Sequence, residues 1–226
     1  MTPPALSDYI DIHTHSSREN CFYLRNIFAQ DLAKGLPDEV PCSIGLHPWH
    51  IQEVNVGDCL LSLQDIASRQ QVLGIGETGL DRNINVPFET QEKVFLQHIH
   101  ISETSKKPLV IHCIKSYSDI LHIRKSNEWK MIWMFHWFNE NLSIATELIN
   151  LDCYLSFGRS LLHSNGKNAE VFRALPLDHI FLETDDAEVK IENVYAKAAE
   201  LKSISIDDLK KGINQNFRTV FLRGKN

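Results

Sequence analysis

Short apolar runs recur along this chain with helical stretches between them, and that alternation restricts the fold more than any other feature. Residues 9–12, 22–28, 43–46, 72–77, 109–112, 131–136, 153–157 and 179–185 each read as a strand, several of them rich in β-branched and aromatic residues. Residues 58–68 read as a helix with Leu60, Leu61, Leu63 and Ile66 on one side. Pro87 opens a longer helix to residue 106, with Phe88, Gln91, Val94, Phe95, His98 and Ile99 at helical spacing on its inner face. Further helices fall at 117–127, 141–150 and, briefly, 170–175. The last runs from 205 to 222, where Ser205 and Asp208 form a capping-box-like pair and Ile204 with Leu209 a hydrophobic staple. About eight strands alternating with helices call for a parallel sheet, and at this length the natural closure is an α/β, compact (β/α)8 TIM barrel forming one domain over residues 1–226.

Composition allows that core and narrows the setting. The chain has 226 residues, 43% of them apolar, which suffices for one large domain. No apolar run approaches the ~18–20 residues of a membrane span. Met1-Thr2-Pro3-Pro4 has no basic segment leading into a hydrophobic one. The five cysteines are odd in number and widely spaced, as expected of free thiols in a reducing compartment. The expectation is therefore a cytoplasmic protein with no membrane contact and no obligate protein partner. The formal net charge of −6 counts against broad attraction to nucleic acid, although bound dications would add positive charge inside a cleft.

Chemistry enters at Asp11-Ile12-His13-Thr14-His15. Alternation along a strand turns Asp11, His13 and His15 to one face, so that two imidazoles backed by a carboxylate can chelate a divalent cation. Further ligand types stand at the ends of later strand runs, where (β/α)8 barrels gather their active groups: Glu77, His112, His136 and Asp185. Four imidazoles and two carboxylates suit two divalent metal ions, Zn²⁺ or Mn²⁺ more naturally than Mg²⁺, which prefers oxygen shells. Two ions about 3.5–4 Å apart would activate a shared water and stabilise a displacement, as in phosphoester or amide hydrolysis.

Six blocks together resemble the successive motifs of the TatD-like metal-dependent hydrolases. They are Asp11-x-His13-x-His15, Gly45-Leu46-His47-Pro48, Gly74-Ile75-Gly76-Glu77-Thr78-Gly79-Leu80-Asp81, Pro108-Leu109-Val110-Ile111-His112-Cys113, Phe135-His136-x-Phe138 and Glu183-Thr184-Asp185. The resemblance runs from about Asp8 to Phe221 and implies a distorted TIM barrel of the amidohydrolase superfamily. It also implies a metal-dependent deoxyribonuclease, often of the 3′→5′ exonuclease type. By matching motif, His13 and His15 would hold one metal, Glu77 would bridge, His112 and His136 would hold the second, and Asp185 would complete the first and act as general base. Related enzymes with a carboxylated lysine bridge have Lys where this chain has Glu77, which favours the TatD-like reading over a dihydroorotase-like one.

The chain departs from that pattern in places. The segment between His15 and Gly45 is shorter than usual, so the first helix is expected to be reduced or absent. Trp137 follows the second-metal histidine in place of a small or sulfur-containing residue, and Ala187 replaces a common proline. His47, Arg82, Lys115 and Trp137 are the candidate substrate contacts, with His47 open also to a third-metal role or to plain core packing; Arg82 and Lys115 could meet a phosphate, and Trp137 and Trp49 lie where a base could stack. Glu183 is expected in a supporting hydrogen bond, and Asp81 as a residue that fixes its Gly-rich turn. The leading expectation is a phosphodiester hydrolase acting on DNA or a smaller phosphoester. Its rivals are an amidohydrolase-type enzyme acting on a small amide, ester or phosphoester, and a non-catalytic metal-binding interaction protein.

Overall fold

The computed structural model of the chain describes residues 3–163 and 166–222; Met1 and Thr2, part of the Met1-Thr2-Pro3-Pro4 stretch read above, lie outside them. Eight strands hydrogen-bond in chain order within one sheet: β1 (Ile10–Thr14), β2 (Phe22–Phe28), β3 (Cys42–Gly45), β4 (Val72–Asp81), β5 (Leu109–Ile114), β6 (Trp133–Phe135), β7 (Tyr154–Phe157) and β8 (Ile180–Leu182). The pairings of β1 with β2, β3 with β4, β4 with β5 and β7 with β8 are parallel. A parallel bridge between Thr14 and Asp185 links the end of β1 to the segment after β8. This is the (β/α)8 arrangement that the alternation predicts.

The shortened region follows from chain length. Between Thr14 and Phe22 there are seven residues, 15–21. A parallel return along five-residue β1 needs about 17 Å; seven residues reach about 25 Å when extended but about 10 Å as a helix. The connection therefore has no room for a crossover helix, and between β2 and β3 the chain forms a 3-10 turn (Ala29–Lys34) followed by residues 35–41 rather than an α-helix.

Contacts cluster into two compact units. One is Asn26–Met134, with β3, β4 and β5 and the helices α1 (Val56–Ile66), α2 (Phe88–Ser105) and α3 (Tyr117–Ser126). All ten residues of β4 are buried, and the strand runs on past Glu77 to Asp81, where the sequence reading ends it at Glu77. Strand geometry continues because Asp81 N donates to Gln91 Oε1 at 2.8 Å, and Gln91 Nε2 returns bonds to the carbonyls of Asp81 and Val86. Gly45 lets β3 approach closely, since a Cβ there would lie 2.6 Å from the Glu77 carbonyl oxygen. At Gly79, with φ of +153°, a Cβ would strike the His112 carbonyl oxygen.

The other unit joins the chain up to Arg25 with the chain from Phe135 onward, carrying β1, β7, β8 and α4 (Leu142–Asn150), α5 (Lys167–Ala174), α6 (Ile191–Lys202) and α7 (Ile206–Phe221). The capping pair stands at the head of α7: Ser205 Oγ accepts from Asp208 N at 3.0 Å and donates to Asp208 Oδ2 at 2.8 Å. The sequence reading assigns no element to α6, yet it fixes β1. Tyr195, fully buried on α6, donates its hydroxyl to the Ile10 carbonyl and accepts from the Ile10 amide, both at 3.1 Å. No helix among the described residues is long and apolar enough to cross a membrane.

Candidate metal centre

In the unit containing β1 and β8, His13 is fully buried and His15 half-buried at the end of β1. Asp185 meets both: its Oδ1 lies 3.0 Å from His15 Nε2 and 3.6 Å from His13 Nε2. Asp185 takes a left-handed backbone, φ +54°, and its surroundings hold it there. Its amide donates to the His13 carbonyl at 2.9 Å, and its own carbonyl accepts from Thr14 Oγ1 at 3.3 Å and Arg18 Nη2 at 3.1 Å. Arg18 Nε also donates to Thr14 Oγ1 at 2.9 Å, so the helix-free connection supplies a support for the triad.

Asp11 sits behind it. The carboxylate is fully buried and accepts from Thr184 N at 2.9 Å and from Thr184 Oγ1 at 2.5 Å. Burial raises its pKa to about 7 even though the Thr184 bonds and Arg18 act in the opposite direction. His136 follows β6 and stacks on His13 with ring centroids 4.3 Å apart. Beside it, Trp137 donates its amide to Glu183 Oε1 at 2.5 Å, and the Arg159 guanidinium lies 5.4 Å over the Trp137 ring. Glu183 thus serves as the expected hydrogen-bonding support.

In the Asn26–Met134 unit, Glu77, His112 and His47 form a second group. His47 Nε2 and His112 Nδ1 lie 3.0 and 3.1 Å from the same Glu77 Oε1. The sequence reading places His47 among substrate contacts; the structure brings it to the carboxylate. His112 Nε2 faces Asp81 Oδ2 at 3.1 Å, so carboxylates lie against both of its nitrogens. Burial alone would raise Asp81, but hydrogen bonds from His112, Trp49 and the Asn83 amide bring it down to about 2, leaving a firm anion behind the imidazole.

Three supports escaped the sequence reading. Asn26 accepts from the Glu77 amide at 2.9 Å and from Ser43 Oγ at 3.2 Å, and its Nδ2 approaches Glu77 Oε2 at 3.4 Å. Its signal was an amide side chain inside an apolar strand run. His98, read on the inner face of its helix with no chemistry assigned, is fully buried. The Leu46 amide donates to its Nε2 at 3.0 Å, which leaves Nδ1 to donate to the Val94 carbonyl at 2.8 Å and fixes the neutral tautomer. Burial drives its pKa down to about 4. Asp81, read as a turn-fixing residue, does fix the turn through Asn83 N at 2.8 Å, but its other oxygen serves His112.

Arg82 and Lys115 are exposed. Arg82 pairs with Asp119 at 2.8 Å and stacks over Phe88; Lys115 stands one residue beyond β5 with φ +52°.

Each triad, His13–His15–Asp185 and His47–Glu77–His112, gathers one ligand atom per residue, with those atoms all within 4.8 Å of one another. Nitrogen donors with a single carboxylate oxygen in each are the donor chemistry of an intermediate divalent ion, so the residues fit a metal.

The family model described as TatD related DNase matches residues 21–222. A protein of Buchnera aphidicola subsp. Baizongia pistaciae described as an uncharacterized metal-dependent hydrolase is 38% identical over 147 residues, covering 63% of this chain and 54% of that protein. The chain's match thus spans about half the length of that relative. YabD of Bacillus subtilis, described in the same words, is 25% identical over 200 residues, 81% of this chain and 78% of that one. The crystal structure of YJJV, a TatD homolog from Escherichia coli K12, matches with a TM-score of 0.84 at 20% identity, over 96% of this chain and 99% of that one, and shows a shared fold.

Proposed function

Since the chain belongs to the TatD related DNase family, whose matched relatives are described as metal-dependent hydrolases, we propose that it cleaves phosphodiester bonds and that its substrate is DNA, shortened from the 3′ end. The observation that carries this reading is the pair of triads, each holding two imidazoles and one carboxylate within ligand range. His13, His15 and Asp185 would hold one divalent ion and His47, Glu77 and His112 another, with Zn²⁺ or Mn²⁺ the best match to the donors. When bound, such ions make a water acidic near pH 7 and neutralise charge developing on phosphate oxygens.

The chain's own residues supply the rest. Asp185 accepts a proton from the attacking water. Arg18 and Thr14 hold the Asp185 backbone so that the acceptor keeps its direction. Asp81 orients His112 through Nε2. Lys115 and Arg82 offer exposed positive charge to a phosphate, and Trp137, braced by Glu183, offers a ring beside His136.

The test is cleavage of end-labelled single-stranded DNA by chelator-treated protein with Mg²⁺, Mn²⁺ or Zn²⁺ restored. Stepwise shortening of 5′-labelled strands that depends on the ion supports the reading. No cleavage with any ion would overturn it and turn attention to small phosphate esters and amides.

A further inference from the structure

Trp49 is the largest of the exposed apolar side chains among the described residues. It is 55% exposed although it follows His47 by two residues, on the 3-10 turn Pro48–Glu53. An exposed indole is ordinarily free to change rotamer; this one is fixed at both ends. Its amide donates to His47 Nδ1 at 3.2 Å, and its Nε1–H donates to Asp81 Oδ2 at 2.8 Å, the oxygen that also faces His112 Nε2. The ring stands edge-on to His47, centroids 4.9 Å apart, and to His112 at 5.9 Å. A rigid indole with over half its surface open therefore borders the His47–Glu77–His112 triad.

Core packing does not account for a ring this exposed, and a smaller donor could satisfy Asp81. What the position offers is a preorganised flat surface beside the groups proposed to hold the metal, with its rotamer already fixed by the Asp81 bond. We infer that Trp49 determines specificity by stacking on a nucleobase of the substrate, so that the site takes nucleotide phosphodiesters in preference to base-free ones. This rests on the phosphodiesterase reading above. Stacking is indifferent to base identity because every base has a π face, so the preference is for a base rather than for a sequence.

The test compares the metal-loaded protein with its Trp49→Phe and Trp49→Leu variants on a single-stranded oligonucleotide, and on the same strand with an abasic residue at the cleaved end. A second readout is quenching of indole fluorescence by the oligonucleotide in metal-free protein. The expected result is a KM raised roughly 5- to 150-fold in Trp49→Leu, less in Trp49→Phe, with kcat little changed. On the abasic strand wild type and variants should have the same KM, and quenching should fall in both variants. Equal losses on intact and abasic strands, or unchanged quenching in the variants, would overturn the inference. Trp49-dependent quenching without hydrolysis of any strand would leave the stacking surface standing and remove the phosphodiesterase reading. Hydrolysis that ignores the substitution would do the reverse.

Discussion

At the scale of single residues the site depends on charges and lone pairs aimed by neighbours. Asp185 is the clearest case, because its left-handed backbone is stabilised by Thr14, Arg18 and the His13 carbonyl while its carboxylate faces two imidazoles. Asp185→Asn should lower turnover by about 100-fold or more while circular dichroism and melting temperature change little; full activity in the variant would remove the general-base assignment. Asp81→Asn takes the anion from His112 Nε2 and should weaken metal affinity by about 10–100-fold, read by competition with a chromogenic chelator. His98 makes a prediction about pH. Its imidazole is neutral in the fold, with a pKa of about 4 against 6.5 for the ordinary group, so the unfolded chain binds more protons between those values. The stability it contributes is complete above pH 6.5 and is lost as pH falls toward 4, up to about 3 kcal/mol. Denaturant unfolding between pH 7 and 4 should show that slope, and His98→Gln should flatten it. The histidines and carboxylates of the two groups are legible in the sequence because apolar runs stop at them. Asn26 and His98 are not, since their partners Glu77 and Leu46 lie 51 and 52 residues away and nothing local announces the contact.

At the scale of elements the outcome turns on how strongly each segment advertises its period. The apolar run of the fourth strand breaks at Glu77, whereas the structure carries the strand to Asp81 on hydrogen bonds with Gln91, a residue of α2. Helix α6 is hard to see in the sequence although Ile191, Val194, Tyr195, Ala198 and Leu201 line its buried face. Lys190 stands at its head with no side-chain cap, and the small alanines weaken the apolar stripe, so neither start signal nor amphipathic contrast was strong. The capped α7 gave both and was read to within a residue or so. Gly79 tests how closely β4 and β5 must meet. Gly79→Ala puts a methyl group against the His112 carbonyl at a backbone angle that disfavours side chains, and should cost about 2–5 kcal/mol. Urea unfolding would report that loss, and it should come with weaker metal binding because His112 is displaced; an alanine variant as stable as wild type would mean that the two strands can separate there.

At the scale of the whole molecule the fold was legible because parallel βα repetition leaves few alternatives, and the missing first helix was legible because seven residues cannot span the return as a helix. The division of the histidines was not, because which donors share a group depends on register and on loops such as the turn after His47. Each unit carries one triad, so metal should stabilise both parts of the chain. The measurement that bears most directly on this is the number of divalent ions taken up per chain, by calorimetric titration of chelator-treated protein with Mn²⁺ or Zn²⁺, in wild type, His13→Ala and His112→Ala. The expected result is two ions for wild type and one tight ion for each variant. Unchanged uptake in both variants, or no uptake by wild type, would contradict a metal centre built from these residues.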